Sequence, residues 1–252
     1  MLHRLPVNKV IALLVSANPY ARNLYFCAMH DIEPYFQWRD AYIASEDQRS
    51  PLYGRDYDEF YYTNAIYNYY IHPQWDEIGS PTLYIKIIYV DYELHYAIIE
   101  MIGEWNDCIN NDIMTLRREI TALMQNEGIH KFMLVCENVL NYHAADDNAY
   151  YEEWHDEVSD NEGWVAIINP LKHVSDEMYG YGLNHYVHLL TDSPWRGRKP
   201  RALLTWPEPQ LSSQHLLPVG RTTTTPLRIH QSTRAPPHRQ ANIAQRTARP
   251  KQ

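Results

Sequence analysis

The stretch "KFMLVCENVL" (residues 131–140) decides the fold of this chain. Its nearly continuous apolar run is typical of a strand that is buried on both faces of a parallel sheet. Two further stretches rich in Ile, Val and Tyr precede it, "LYIKIIYVDY" (83–92) and "YAIIEMIGEW" (96–105), and the short link between them predicts a hairpin. We therefore expect a hairpin that leads into a sheet of buried strands.

Segments with helical periodicity separate the strands. The apolar residues of 110–128 recur at helical spacing, which predicts an amphipathic helix. We expect Asn110 or Asn111 to cap its first turn and Gly128 to end it. Two shorter helices are predicted over 147–158 and 171–182, and two further strands over 163–170 and 184–190. This order, β-β-α-β-α-β-α-β, predicts an α/β fold with a mainly parallel or mixed sheet.

The predicted α/β domain covers residues 83–190, and an irregular, aromatic-rich segment, 29–82, precedes it. The densest part of this segment holds Phe60, Tyr61, Tyr62, Tyr67, Tyr69, Tyr70 and Trp75. Large rings gain most when they are buried, so we expect the segment to pack over the α/β domain. Two alternatives remain open, which are a surface that binds a protein partner or a second copy, and a small-ligand site.

The two ends of the chain differ from its middle in composition. Residues 1–28 are predicted to be an extension outside the native fold, with Met29 as an alternative start. Residues 191–206 are predicted to be a transition into a disordered basic tail, 207–252, which shows no apolar period. Such a tail can fold back on an acidic body or bind an acidic partner, and an out-of-frame translation is the alternative.

The charge of the middle region excludes several classes of function. The whole chain has a net charge of −9, but residues 29–192 carry 8 basic against 30 acidic side chains. This field repels nucleic acid, whose phosphates need Lys and Arg, and it disfavours anionic membrane surfaces. No apolar run reaches the length of a membrane span. We therefore expect neither a nucleic-acid nor a membrane partner, and a basic protein partner is favoured.

The cysteines indicate the compartment. Cys27, Cys108 and Cys136 are odd in number and widely spaced, and no CxxC pair occurs. The pattern therefore predicts neither a disulfide framework nor a zinc site. No Asn-x-Ser/Thr sequon occurs either. Together these features predict a reducing, cytoplasmic location.

The order of elements over residues 84–190 resembles the STAS-like fold of anti-sigma-factor antagonists and, more distantly, SEC14-like lipid-binding cores. The stretch 61–87 is also similar to a Bacteroidetes-type family, which implies no activity. STAS antagonists carry a phosphorylatable Ser or Thr where the third strand meets the next helix. Here that junction, "CENVLNYHAADDNAYY" (136–151), contains neither residue. Asp146 and Asp147 either imitate a permanent negative charge there or simply cap the helix.

Ligands of open α/β sheets bind beyond the carboxyl ends of the strands. Polar and aromatic residues follow three of the predicted strands, in "GEWND" (103–107), in "ENVLNYHAADD" (137–147) and at Asn169, and we predict that they form a binding rim at that edge. The candidate binding residues are Trp105, Asp107, Asn138, Asn141, Asp146 and Asp147.

An enzyme is the alternative use of the same rim. His143 would be the general base, and Glu104 or Glu137 would be the carboxylate that orients it. A metal-dependent version would draw its ligands from His143, Asp146, Asp147, Glu152, Glu153 and His155. No GxSxG, GxGxxG or HExxH motif accompanies these residues, and surface positions at the start of a helix explain them equally.

We therefore predict a non-enzymatic, cytoplasmic binding or regulatory module that acts through a protein partner or a homodimer. No cofactor, metal or catalytic residue is predicted. The alternative is a hydrolase or metal-dependent enzyme built on His143 with Glu104 or Glu137.

Overall fold

A computed structural model of the protein describes residues 28–29, 32–58, 60–67 and 69–204. Most of the predicted N-terminal extension and the predicted tail from 207 onward lie outside these residues. The strands are β1 (Ala28–Met29), β2 (Ala65–Ile66), β3 (Tyr69–Tyr70), β4 (Asp76–Glu77), β5 (Leu83–Asp91), β6 (Tyr96–Asn106), β7 (Lys131–His143), β8 (Trp164–Ile168) and β9 (His188–Leu190). The helices are α1 (Asp112–Leu116, Arg117–Thr121 and Ala122–Asn126), α2 (Ala149–Ser159), α3 (Lys172–Gly180) and α4 (Pro200–Leu204), with a 3₁₀ turn at Leu183–His185.

The predicted order of strands and helices is confirmed from β5 to β9. These strands and β4 form a six-stranded sheet in the order β4-β5-β6-β7-β8-β9. The pairs from β6 to β9 are parallel, and β4 and β5 run antiparallel to their neighbours. The predicted mainly parallel or mixed sheet is therefore correct, and β7, the strand of the opening stretch, lies at its centre. Strand β4 was not predicted, because two residues carry no period.

All three crossovers from β6 to β9 advance in one direction, so right-handed connections place α1, α2 and α3 on one face of the sheet. The packing agrees with this arrangement. Alternate strand residues such as Leu134 and Ile167 share a core with Leu116 of α1, Trp154 of α2 and Met178 of α3. None of the helices in the described part of the chain has the length and apolar character that a bilayer span requires.

The opposite face of the sheet is covered by the two segments that flank the α/β domain. Trp38 from the preceding segment and Trp195 and Leu203 from the following one pack on Met133 and Ile168 of the central strands. Residues 193–204, predicted to be part of a transition, thus contribute fully buried side chains to this second core. Both faces of the sheet are consequently shielded from solvent, which explains why β8 and residues 132–136 of β7 are apolar throughout.

The first helix begins differently from the sequence-based expectation. Asn111 adopts a left-handed conformation (φ 52°), and its side chain caps no backbone group. The carboxylate of Asp107 instead accepts a hydrogen bond from the backbone N–H of Ile113, at 2.8 Å. The helix ends as predicted, because Gly128 takes a positive φ of 89° that glycine tolerates.

Candidate functional site

Trp105 and Asp107 of the predicted rim lie together, but both are buried. One oxygen of the Asp107 carboxylate accepts the Trp105 indole N–H at 2.9 Å as well as the Ile113 N–H. The other oxygen accepts the hydroxyl groups of Tyr142, at 3.2 Å, and Tyr151, at 2.6 Å. The carboxylate therefore ties the end of β6 to β7, α1 and α2 on the helical side of the sheet.

The protonation of Asp107 reflects this enclosed position. Burial raises the pKa of its carboxyl group to about 6, although the hydrogen bonds from Tyr151, Ile113 and Trp105 act in the opposite direction. Only 4% of the residue is exposed. With every lone-pair direction occupied and little surface open, Asp107 holds the fold together rather than presenting a group to a ligand.

Glu104 and Asn141 point to the other face of the sheet, where they meet. The Asn141 amide donates to one Glu104 oxygen at 2.8 Å, and the Tyr67 hydroxyl donates to the other at 2.8 Å. Asn138 lies on the same strand as Asn141, and its buried amide nitrogen has no partner among the described residues. Glu104 therefore anchors the aromatic segment onto the sheet through Tyr67.

Glu137 is likewise occupied by internal hydrogen bonds. Its carboxylate accepts the Trp195 indole N–H and the Asn169 amide, both at 2.8 Å, and pairs with the Arg196 guanidinium at 2.9 Å. Burial alone would raise the pKa of Glu137, but these hydrogen bonds outweigh it and lower the pKa below its usual value. Glu137 therefore fixes the segment that follows β9 across the sheet.

The remaining predicted residues of the rim lie on the surface. His143, Asp146 and Asp147 are exposed. The Asp147 carboxylate accepts the N–H of Ala149 at 3.2 Å, so it caps the start of α2. The His143 ring makes no hydrogen bond or ion pair within the described part of the chain, and neither Glu104 nor Glu137 turns towards it. The pairing of His143 with Glu104 or Glu137 that the enzyme alternative predicts is therefore not seen among the described residues.

Metal binding was the other alternative for this edge. Across residues 32–58, 60–67 and 69–204, no group of three or more His, Cys, Asp or Glu side chains is placed to hold a metal ion. His155 instead lies 3.3 Å from its neighbour Asp156 on the surface of α2.

Replacing His143 by alanine is expected to change the free energy of unfolding by less than about 0.5 kcal/mol, because an exposed ring without partners stabilises little. We also expect the melting temperatures of the wild type and His143→Ala to respond equally to Mg²⁺, Mn²⁺ and Zn²⁺. Differential scanning fluorimetry on the full chain measures both quantities. A metal-dependent rise in melting temperature that is lost in His143→Ala would contradict the surface assignment.

Glu100 and Arg196 form an ion pair that was not predicted. Glu100 lies on β6 and is 1% exposed, and its carboxylate accepts the backbone N–H of Tyr35 at 2.7 Å. Arg196 reaches it at 3.3 Å while also pairing with Glu137. Glu100 is visible in the sequence as a lone charge in "YAIIEMIGEW", but Arg196 is 96 residues away and no local pattern connects the two.

The aromatic segment divides into a buried and an exposed part. Ile66, Ile71 and Trp75 pack on Tyr84 and Ile102 of the sheet. Other rings face solvent, and we call them the aromatic surface. It consists of Phe60 (86% exposed), Tyr61 (72%), Tyr67 (75%) and Tyr69 (50%).

The aromatic surface is held in place by hydrogen bonds. The Asp58 carboxylate accepts the backbone N–H of Phe60 at 2.8 Å and of Tyr61 at 3.2 Å, which fixes the turn that carries both rings. Tyr67 adopts a positive φ of 53°, and its hydroxyl is bound by Glu104. A non-glycine residue rarely adopts this conformation. The outward position of the Tyr67 ring therefore depends on the hydrogen bond from its hydroxyl to Glu104.

Comparison with known proteins does not identify a family for this chain. The chain matches no protein-family model and no curated protein. Among solved structures it is similar to a Thermotoga maritima protein provisionally named as an anti-sigma factor antagonist. The sequences are 19% identical, the match covers 44% of this chain and 86% of that chain, and the TM-score is 0.30. The STAS-like resemblance of the element order therefore stays a prediction.

Proposed function

We propose that this protein is a non-enzymatic binding module that recognises a basic segment of a partner protein through the aromatic surface. The observation that carries the proposal is the group of exposed rings at Phe60, Tyr61, Tyr67 and Tyr69, set on a segment whose inner side chains are buried. Large exposed apolar groups that lie close together in the sequence are candidate interaction sites, and aromatic residues are enriched where proteins bind one another.

Preorganisation supports this role. The turn held by Asp58 and the hydroxyl bond from Tyr67 to Glu104 restrict the rings before any partner arrives. Restricting a binding surface in advance reduces the entropy that association must overcome. The polar rim offers no comparable surface, because Asp107 is buried with four internal donors and the buried Glu104 carboxylate is held by Asn141 and Tyr67.

The charge of the module selects its partner. The described residues from 32 to 204 include 28 acidic and 12 basic side chains. Asp56 and Asp58 are exposed beside the aromatic surface. Complementary charge steers a partner to its site and suppresses wrong partners, so a cationic segment with an apolar side chain fits best.

We extend the proposal to a regulatory role in the cytoplasm. The STAS-like order of elements supports regulation through protein contacts. The cysteines support the compartment, because Cys108 and Cys136 are both free thiols. His143 and the carboxylates near it supply no competing catalytic arrangement.

Selection from a random dodecapeptide library displayed on phage tests the proposed function. We expect the full chain to enrich peptides rich in Lys and Arg with at least one large apolar residue. The triple variant Phe60→Ser/Tyr61→Ser/Tyr69→Ser is expected to bind the enriched peptides at least about tenfold more weakly, which corresponds to about 1.4 kcal/mol. Fluorescence anisotropy with the synthetic peptides measures this loss.

The matched control replaces two exposed rings on the helical side, in the variant Tyr179→Ser/Tyr181→Ser, and should bind as the wild type does. Enrichment of acidic or uncharged peptides, or equal binding by the triple variant, would overturn the proposal. Light scattering adds one further outcome. If the wild type is a dimer that the triple variant dissociates, a second copy occupies the aromatic surface and the basic partner is excluded.

A further inference from the structure

A pocket of about 200 Å³ lies between β5 and the segment that precedes the α/β domain, away from the aromatic surface rings. Its apolar and aromatic walls include Tyr35, Tyr42, Ile43 and Ile88, and its polar side carries Lys86, Arg39, Tyr57 and Gln74. No aspartate or glutamate is among the described residues that line it. In a region so rich in carboxylates, a cavity lined by cations and no acid is the feature that requires an explanation.

Lys86 is the central group of this pocket. It is the single charged residue among the apolar residues of "LYIKIIYV" (83–90) on β5, and its side chain is 14% exposed. The ammonium nitrogen lies 3.1 Å from an Asp76 oxygen and 3.5 Å from the centre of the Tyr57 ring. An ammonium group carries three donors, so this geometry leaves hydrogen-bonding capacity on the pocket side.

The nearby negative charge does not balance the positive charge. Asp76 is the only carboxylate that contacts Lys86 in the described part of the chain, and it also pairs with Arg55 at 3.3 Å and accepts the Tyr57 hydroxyl at 2.7 Å. Arg39 makes a hydrogen bond to neutral Gln74, at 3.4 Å, and forms no ion pair with another described residue. Lys86 and Arg55 thus share one buried carboxylate while Arg39 adds a third cation at the pocket, and an anion there would offset the excess.

We propose that this pocket binds a small monocyclic aromatic carboxylate, whose carboxylate pairs with Lys86 and Arg39. The size agrees, because an apolar cavity of about 150 Å³ accepts benzene and this pocket has room for a ring with a short acidic group. Its aromatic and aliphatic walls favour a ring over a sugar or a free phosphate. The Tyr57 hydroxyl donates its proton to Asp76, but its oxygen can still accept a hydrogen bond from a polar substituent, and the Gln74 amide nitrogen can donate one.

The protonation of Lys86 is consistent with an anionic occupant. Burial lowers the pKa of the Lys86 ammonium, and Arg39 and Arg55 lower it further, while Asp76 acts in the opposite direction. A bound carboxylate would raise the pKa again by supplying a second counter-charge. Binding should therefore weaken as the pH rises through the pKa of Lys86.

Isothermal titration calorimetry on the full chain tests the proposal, with benzoate and phenylacetate as probes. Benzamide, a neutral molecule of the same shape, and inorganic phosphate are the comparison ligands. We expect benzoate or phenylacetate to bind, and benzamide and phosphate to bind at least tenfold more weakly. No heat from either carboxylate at 10 mM, or equal affinity for benzamide or phosphate, would overturn the proposal.

Substitutions locate the site. Lys86→Met is expected to weaken carboxylate binding at least tenfold, and Asp76 keeps Arg55 and Tyr57 as partners in this variant. If Lys86→Met does not fold, as judged by circular dichroism, Arg39→Gln replaces it, because Arg39 is exposed and its loss leaves the fold intact. The control Lys172→Met removes an exposed lysine of α3 and should bind as the wild type does. Wild-type affinity in the pocket variant that folds would exclude this pocket.

The ligand site does not rest on the proposed protein-binding function. The triple variant of the aromatic surface should keep its affinity for benzoate, whereas Lys86→Met should keep its affinity for the selected peptides. Loss of benzoate binding in the aromatic triple variant would place the ligand elsewhere and overturn the assignment to the Lys86 pocket.

Discussion

Replacing Trp195 by alanine is expected to lower the free energy of unfolding by about 3–5 kcal/mol, the usual cost of truncating a fully buried tryptophan. The Trp195 side chain is entirely buried and packs edge-on against Tyr35, at 4.8 Å between ring centres, and Trp38, at 5.9 Å. The substitution leaves a cavity on the sheet and removes the indole N–H that Glu137 accepts. Urea denaturation of the full chain, followed by far-ultraviolet circular dichroism, measures the loss.

Tyr181→Ala is the matched control, because it removes an aromatic ring that is 54% exposed. We expect this control to change the free energy of unfolding by no more than about 0.5 kcal/mol. If Trp195→Ala were as mild as the control, residues 193–204 would not belong to the folded unit. The second core on the sheet would then consist of the preceding segment alone.

The sequence was sufficient to predict the strands and helices from β5 to β9. Their signals are local. Burial on both faces makes a strand such as β7 nearly continuously apolar. Burial on one side gives a helix such as α1 a periodic pattern of apolar residues. The parallel sheet followed from their alternation and from the handedness of crossovers. A pattern that repeats over about ten residues can be recognised without knowing which element packs against it.

The cover on the second face could not be predicted in the same way. Trp195 stands in a Pro- and Arg-rich stretch without any period, and its partners Tyr35 and Trp38 are about 160 residues away. The sequence therefore placed the limit of the α/β domain at 190, although residues beyond it complete the core. The part of this segment around Trp195 packs without regular secondary structure, so its sequence shows no periodic pattern.

The contacts of single residues at the candidate site could not be predicted either, because they also depend on distant parts of the chain. Trp105 and Asp107 lie side by side at the end of β6, and Glu104 lies beside Asn141. The sequence could not show that Tyr142 and Tyr151 fill the lone pairs of Asp107, since these tyrosines reach it from β7 and α2. Whether a carboxylate serves a ligand or the fold depends on such distant donors.

Lone charges inside apolar strands proved the more informative signal. Glu100 in β6 and Lys86 in β5 each interrupt a run of Ile and Tyr, and each lies at the centre of a buried ionic cluster. A buried charge is costly unless it is paired, so such a residue indicates a partner even when the partner cannot be named. The identity of the partners, Arg196 and Asp76, required the fold.

The stability of the protein is expected to fall as the pH rises from about 4.5 to 7, and Glu100 is the residue that we expect to contribute most. Burial raises the pKa of Glu100 to about 7, with a smaller contribution from Glu137, against the lowering effects of the Tyr35 N–H and Arg196. The folded state therefore binds a proton between pH 4.5 and 7 that the unfolded state has released. Stabilisation by this proton is complete below the unfolded pKa and is lost through the folded pKa.

The change attributable to Glu100 over this range is about 3 kcal/mol, at about 1.4 kcal/mol for each pKa unit. Asp107 adds an effect of the same sign at lower pH, and Glu137 acts oppositely, so a difference between variants is required. The free energy of unfolding of Glu100→Gln, relative to the wild type, should rise by about 3 kcal/mol between pH 4.5 and 8. Urea denaturation at five pH values and constant ionic strength measures this difference.

Glu153→Gln is the control, since Glu153 is exposed on α2 and its substitution should leave the pH profile unchanged. A relative stability of Glu100→Gln that stays constant across the pH range would show that Glu100 titrates alike in the folded and unfolded states. Arg196 would then offset the cost of burying the Glu100 charge fully. The ion pair between them would be stronger than the 49% exposed side chain of Arg196 indicates. The Arg196→Met variant separates the two cases, because losing the cation should raise the pKa of Glu100 further and steepen the fall in stability.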